Sequence, residues 1–212
     1  MQDLSGPWRL AFTTMLPDAV QVADPFHLVK LANTRLDEVR RRVQHETLGH
    51  RGHKDDPVYR SRRLLTKASE RLDDKGTTKL KGLLEAGDRR GEVRAAWHAK
   101  AVRSIYDHID PDLALEFVTQ LGTDLQDESC PPEIRQLGRT ITKWRTQIAA
   151  WHQAHVSNGP TEAANNLIKV VKRIAFGFKS FRNYRIRTLL YAGHPNWDLL
   201  ATVTPVSPTT SP

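Results

Sequence analysis

The sequence predicts an α-rich α/β protein, and three observations predict it. Apolar residues recur at helical spacing through most of the chain. Turn and cap residues (Asp73, Gly76, Gly87, Asp110, Pro131) divide that pattern into segments of helix length. One short β-branched run, Val20–Ala23, reads as a buried strand.

Taken in order, Trp8–Met15 has a short helix pattern, and the Leu16–Ala19 segment (LPDA) reads as a turn. The strand Val20–Ala23 follows, with Asp24 at its carboxyl end and Pro25 next. Ligand sites in open α/β sheets gather outside the carboxyl ends of strands, which makes Asp24 a candidate. Phe26–Leu48 reads as a long helix. Phe26, Val29, Leu36, Val39 and Val43 supply its apolar face, and Arg35 and Arg40–Arg42 point elsewhere. A polar, glycine-containing loop spans Gly49–Asp56. Helices are then expected over Val58–Leu72, Thr77–Ala86, Gly91–His108, Pro111–Leu125 and Pro132–His155. Their short connections predict antiparallel hairpins.

The stretch Ser157–Leu190 is the most distinctive. Ala164, Leu167, Ile168, Val171 and Ala175 fall on one side of a helix, and Glu162, Asn165, Asn166, Lys169 and Arg173 on the other. Gly159 suits an N-cap and Pro160 the first helical position, which puts Glu162 third. Phe176, Gly177 and Phe178 break that helix. A second basic helix runs from about Lys179 to Tyr191, with Phe181, Tyr184, Ile186, Leu189 and Leu190 expected inside. Trp197 and Leu199 are expected to pack back, and the Pro-, Ser- and Thr-rich residues 201–212 to be disordered.

At 212 residues, 39% hydrophobic, the chain is long enough to bury a core. Its net charge of +8 favours a polyanionic partner such as nucleic acid. Charge is segregated: Arg35–Arg71 is net basic, whereas Asp110–Glu133 holds acids and no Lys or Arg. The single Cys130 excludes an internal disulfide and suits a reducing cytoplasm; its acidic neighbours Asp127 and Glu128 disfavour a thiolate. No run approaches the ~20 apolar residues that span a bilayer. A cytoplasmic protein without membrane contact is expected.

Glu162 has two readings that the spacing leaves open. A first-turn acid is favoured by the helix dipole. A carboxylate beside cations also suits a divalent metal next to a phosphate backbone. Asp3 and Asp24 are its candidate partners, and both also read as turn acids. His50 and His53 lack a further thiol or carboxylate that completes a zinc set. No phosphate-binding glycine loop or nucleophile elbow is present. Lys169, Lys172, Arg173, Lys179, Arg182, Arg185 and Arg187 interleave with Phe176, Phe178, Phe181 and Tyr184. Such cations neutralise phosphates, and aromatic faces stack on exposed bases.

The stretch SNGPTEAANNLIKVVKRIAFGFKSFRNYRIRTLLYAG resembles the signature around the last catalytic acid of the ISL-three family of insertion-sequence transposases. LPDAVQVADPFHLVKLANTRLDEVRRRVQ and GHRGHKDDPVYRSRRLL are similar to earlier stretches of the same family. The resemblance implies a partial ribonuclease H-like (DDE) domain with a large helical insertion. Residues 1–30 would belong to its sheet region, 31–156 to the insertion, 157–200 to the final Glu helix and the basic helix, and 201–212 to a tail. It also implies acids that bind Mg²⁺ or Mn²⁺ for attack on a DNA phosphodiester. Glu162 matches the final catalytic Glu and Asp3 the second catalytic Asp, so these two are the expected metal ligands. Asp24 ranks below Asp3. The family's first Asp and its N-terminal DNA-binding region precede what this chain contains. The expectation is therefore a transposase fragment that does not cleave or join DNA alone, with the duplex DNA of transposon ends as partner, together with a second copy or a full-length transposase. The alternative is a non-catalytic DNA-binding or regulatory partner of such an enzyme; a helical protein–protein module is the third reading.

Overall fold

The computed structural model describes residues 4–108, 110–193, 195 and 197–198. Every regular element among them is helical, and no sheet forms, so the α/β, ribonuclease H-like expectation is corrected. Val20–Ala23 shows why. A strand needs a neighbour to complete its hydrogen-bond ladder, and none lies among the described residues. The segment is instead inserted against a helix: Val22 and Ala23 are buried, and the Ala23 N–H donates to the Gln147 carbonyl at 2.8 Å. Gln147 sits in the last turn of its helix, where carbonyls lack intrahelical partners.

The chain divides into two compact units, Met1–Ser157 and Asn158–Pro212. Within the first, the helices are α1 (Gly6–Met15), α2 (Pro25–Leu48), α3 (Pro57–Thr66), α4 (Asp74–Gly87), α5 (Glu92–Ala96), α6 (Pro111–Asp124), α7 (Pro132–Ala149) and α8 (Trp151–Ala154). Short 3₁₀ segments cover Ser69–Arg71 and Trp97–Asp107. Prolines open α2, α3, α6 and α7, where the missing N–H is no loss. Asp110 caps α6, accepting from the Asp112 and Leu113 N–H groups, and Asp73 caps α4 through Gly76.

Helix α2 is the centre of this unit, packing on α3, α5, α7 and the longer 3₁₀ segment. Leu28, Ala32, Leu36, Val39 and Val43 form its buried stripe. Phe26, expected inside, is 59% exposed, so the stripe is rotated by two positions at its start. The single helix expected over Gly91–His108 is instead α5 continuing as a 3₁₀ helix. Its buried residues Val93, Ala96, Ala99, Val102 and Ile105 recur every three positions. That interval matches the three residues per turn of a 3₁₀ helix, in which i and i+3 eclipse. Helices α6 and α7 approach closely at glycine: a Cβ on Gly138 would lie 2.9 Å from the Gly122 carbonyl oxygen.

The second unit is a hairpin of α9 (Gly159–Ile174) and α10 (Phe181–Ala192). Ala164, Ile168, Val171 and Ala175 are shielded as the periodicity predicts, but Leu167 is exposed. The expectation of buried Phe181, Ile186, Leu189 and Leu190 is corrected: all four are exposed, because two helices leave each with only one neighbour. Trp197 is also exposed, and Leu199 and the tail 201–212 lie outside the described residues.

Candidate functional site

Glu162 lies in the first turn of α9. The helix begins one residue earlier than the sequence suggests, with Asn158 as the capping position, and the Glu162 N–H already donates to the Asn158 carbonyl at 2.8 Å. The carboxylate is exposed, on the same face as the exposed Asn165, Asn166, Lys169 and Arg173. It forms no ion pair with another described residue, so its oxygens are open to a ligand.

Lys169, Lys172, Arg173, Lys179, Arg182, Arg185 and Arg187 are all exposed. None pairs with a carboxylate among the described residues. Arg187 lies over the Phe178 ring, 5.9 Å from its centre, and Phe178 meets Tyr184 at 5.1 Å. The arginines of α2 behave differently. Arg40 and Arg41 share Asp37, and Arg35 pairs with Glu38. Arg42 reaches Glu92 and Glu133 at 2.7 Å and Glu46 at 3.2 Å. Glu133, in the segment without Lys or Arg, thus finds its basic partner inside the same unit. The arginines of α2 are paired with carboxylates of their own unit; the seven cations of α9, α10 and the turn between them are not.

Asp24 is not at a strand end. It is the residue before α2, it is buried, and its Oδ2 lies 2.6 Å from His27 Nδ1. The i, i+3 spacing at a helix start brings the two together. Close by, a cleft of about 510 Å³ is lined by Phe26, Arg103, Ser104, Tyr106, Asp107 and Trp151 among others. Burial first, and the charge of Asp24 second, push the Tyr106 hydroxyl well above its usual range, so it remains a neutral donor. Sequence reasoning missed this cleft because its walls come from four separate segments of the chain. Asp3, the other expected ligand, lies outside the described residues.

Two other candidates from the sequence lie elsewhere in the first unit. The His50 and His53 rings lie 4.1 Å apart at a tilt of 53°, and His50 faces Asp56 at 3.7 Å. Cys130 is half-buried, and burial first and Asp127 second push its thiol above the ordinary value, which disfavours the thiolate.

Set against known proteins, residues 1–188 match a family model described as a transposase. The chain belongs to that family, the DDE transposases of ISL3 type. It is 29% identical over 201 residues to the transposase for insertion sequence element IS1557 from Mycobacterium tuberculosis strain H37Rv, an alignment covering 86% of this chain and 45% of that protein. The IS1557 transposase of strain CDC 1551 matches equally. A 64-residue stretch is 42% identical to a Lactococcus lactis protein named an ATP-dependent protease, covering 30% of this chain and 21% of that one. The chain thus spans less than half the length of the curated relatives it matches. No solved structure matches. Among the described residues, no helix is long and apolar enough to cross a membrane.

Proposed function

We propose that this chain is the part of a DNA transposase that holds duplex DNA along α9 and α10 and presents Glu162 to a divalent metal. One observation carries the reading: seven exposed cations without carboxylate partners among the described residues stand on the same helical hairpin, turn included, as an exposed, unpaired glutamate. Within this reading, residues 31–156 form a helical insertion and 157–200 the DNA-facing part.

The donors suit the metal. Glu162 offers hard carboxylate oxygens, the ligands that Mg²⁺ and Mn²⁺ prefer. By the family motif Asp3 is the other expected ligand, and Asp24 is a sequence candidate ranked below it. When bound, such a metal activates water or a 3′-hydroxyl for attack on a DNA phosphodiester. The protein's own contribution is to hold. Lys169, Lys172 and Arg173 on α9, and Lys179, Arg182, Arg185 and Arg187 around α10, neutralise backbone phosphates and fix the strand. Asn165 and Asn166 place amide groups between Glu162 and the first of these cations.

Mn²⁺ uptake by the 212-residue chain, with duplex DNA present, tests the role of Glu162. Read by electron paramagnetic resonance, Glu162→Gln is expected to weaken uptake about tenfold or more while duplex affinity is kept. Equal uptake by the variant and the original chain would remove Glu162 from the metal site.

A further inference from the structure

Helix α9 ends in a tight reversal. The Gly177 N–H donates to the Lys172 carbonyl and the Phe176 N–H to the Arg173 carbonyl, both at 3.1 Å. This is the paired hydrogen-bond pattern that closes a helix with one residue in the left-handed region. That residue is usually Gly, sometimes Asn, because a side chain there crowds its own backbone. Here it is Phe176, at φ 51°. Gly177, the next residue, also has positive φ, at 99°. So the sequence places a bulky ring at the position that favours glycine.

The ring does not pack in exchange. Phe176 is 101% exposed, whereas Phe178, two residues on, turns in against Tyr184 and Arg187. An apolar ring held in water by an unfavourable backbone gains nothing within this unit. Its surroundings indicate what it meets. Lys172 and Arg173 precede it on the last turn of α9 and Lys179 follows, all exposed and without carboxylate partners among the described residues. A protein partner would need acids on its rim; a nucleic acid supplies phosphates on both sides of a stack of apolar base faces.

We propose that Phe176 is a wedge that enters duplex DNA between neighbouring base pairs and kinks it, with Lys172, Arg173 and Lys179 on the flanking phosphates. Apolar side chains inserted at a base step unstack it and bend the duplex. Pyrimidine–purine steps such as TA and CA yield most readily, so they are the preferred steps. The proposal rests on the reading that this unit binds DNA, and it adds where and how the duplex is deformed.

The test is a short duplex rich in TA and CA steps, labelled at both ends for resonance energy transfer, titrated with the full chain. The original chain is expected to shorten the end-to-end distance on binding. Phe176→Leu, still an apolar wedge, keeps the kink. Phe176→Asn removes it and weakens binding about tenfold, with the salt dependence unchanged because phosphate contacts remain. Asn is at home in the left-handed region, so that variant melts no lower than the original chain and does not fail by misfolding. Salt-dependent binding to a duplex that stays straight, or an equal kink with Phe176→Asn, overturns the wedge and leaves the DNA reading standing. Unchanged affinity and kink in Phe176→Asn, whatever its melting temperature, likewise overturns it. No duplex binding by the original chain removes both readings.

Discussion

At the scale of single residues, Asp24 and His27 form a close polar pair at the start of α2. Asp24 is only 3% exposed, and its carboxylate is held by the imidazole at 2.6 Å. His27→Ala leaves a buried carboxylate short of a partner, and urea unfolding should show a loss of about 1–3 kcal/mol. His152 makes a pH-dependent prediction. It is 3% exposed, packed between Tyr106 and Trp151, and burial, the largest cause, lowers its basicity below the ordinary histidine value. A histidine with a depressed folded-state pKa binds protons better when unfolded. Its contribution is therefore complete above about pH 6.5, the unfolded value, and is lost as pH falls through the lower folded value. Unfolding free energy should drop on that acid side and drop less in His152→Gln; equal slopes would contradict it. Asp24 was readable from the sequence as a notable acid, but by the wrong route. Its β-branched neighbours suggest a strand end, whereas the legible signal is its i, i+3 spacing with His27 at a proline-started helix. Nothing local announced that Phe176 points outward, because its exposure follows from a backbone angle that residue type alone argues against.

At the scale of elements, the joins between helices are the sensitive points. Arg42 ties α2 to α5 through Glu92 and to α7 through Glu133. Hydrogen bonds, that of Glu133 first, raise the basicity of the guanidinium further, so the charge is permanent. The cluster is partly open to solvent, which screens it, so Arg42→Ala should cost about 1 kcal/mol in chemical denaturation, and less at high salt. The α6–α7 contact is less forgiving. A methyl group at Gly138 would meet backbone atoms of α6, the Gly122 oxygen and the Leu125 carbonyl carbon, that cannot rotate away. Gly138→Ala should therefore lower stability by about 1–3 kcal/mol. Helix positions were largely legible, because proline and aspartate mark their starts and apolar spacing their lengths. The exception is instructive. Val93, Ala96, Ala99, Val102 and Ile105 stand three apart, which a reading tuned to a period of 3.6 takes for an ordinary helix. The strand at Val20–Ala23 failed for a different reason: β-branched composition describes a segment's preference, but a ladder needs a partner strand.

At the scale of the whole molecule, the separation of charge is the property from which function follows. The arginines of α2 are paired with carboxylates of their own unit, whereas the cations of α9 and α10 have no carboxylate partner among the described residues. Sequence alone gave both stretches as basic, and only the fold distinguishes neutralised charge from available charge. It also leaves Phe181, Ile186, Leu189 and Leu190 of the second unit exposed, which a pattern of hydrophobic spacing reads as core. The central claim is that the unpaired cations bind a duplex backbone. It is tested most directly by duplex affinity as a function of salt, measured by fluorescence anisotropy. The chain is compared with a variant carrying Arg173→Gln, Lys179→Gln, Arg182→Gln and Arg185→Gln. Each phosphate contact contributes about 0.9 to the slope of log affinity against log salt, so the account predicts a steep slope that flattens by up to about 3.6 in the variant. The same slope for both proteins, or no dependence on salt, would contradict it.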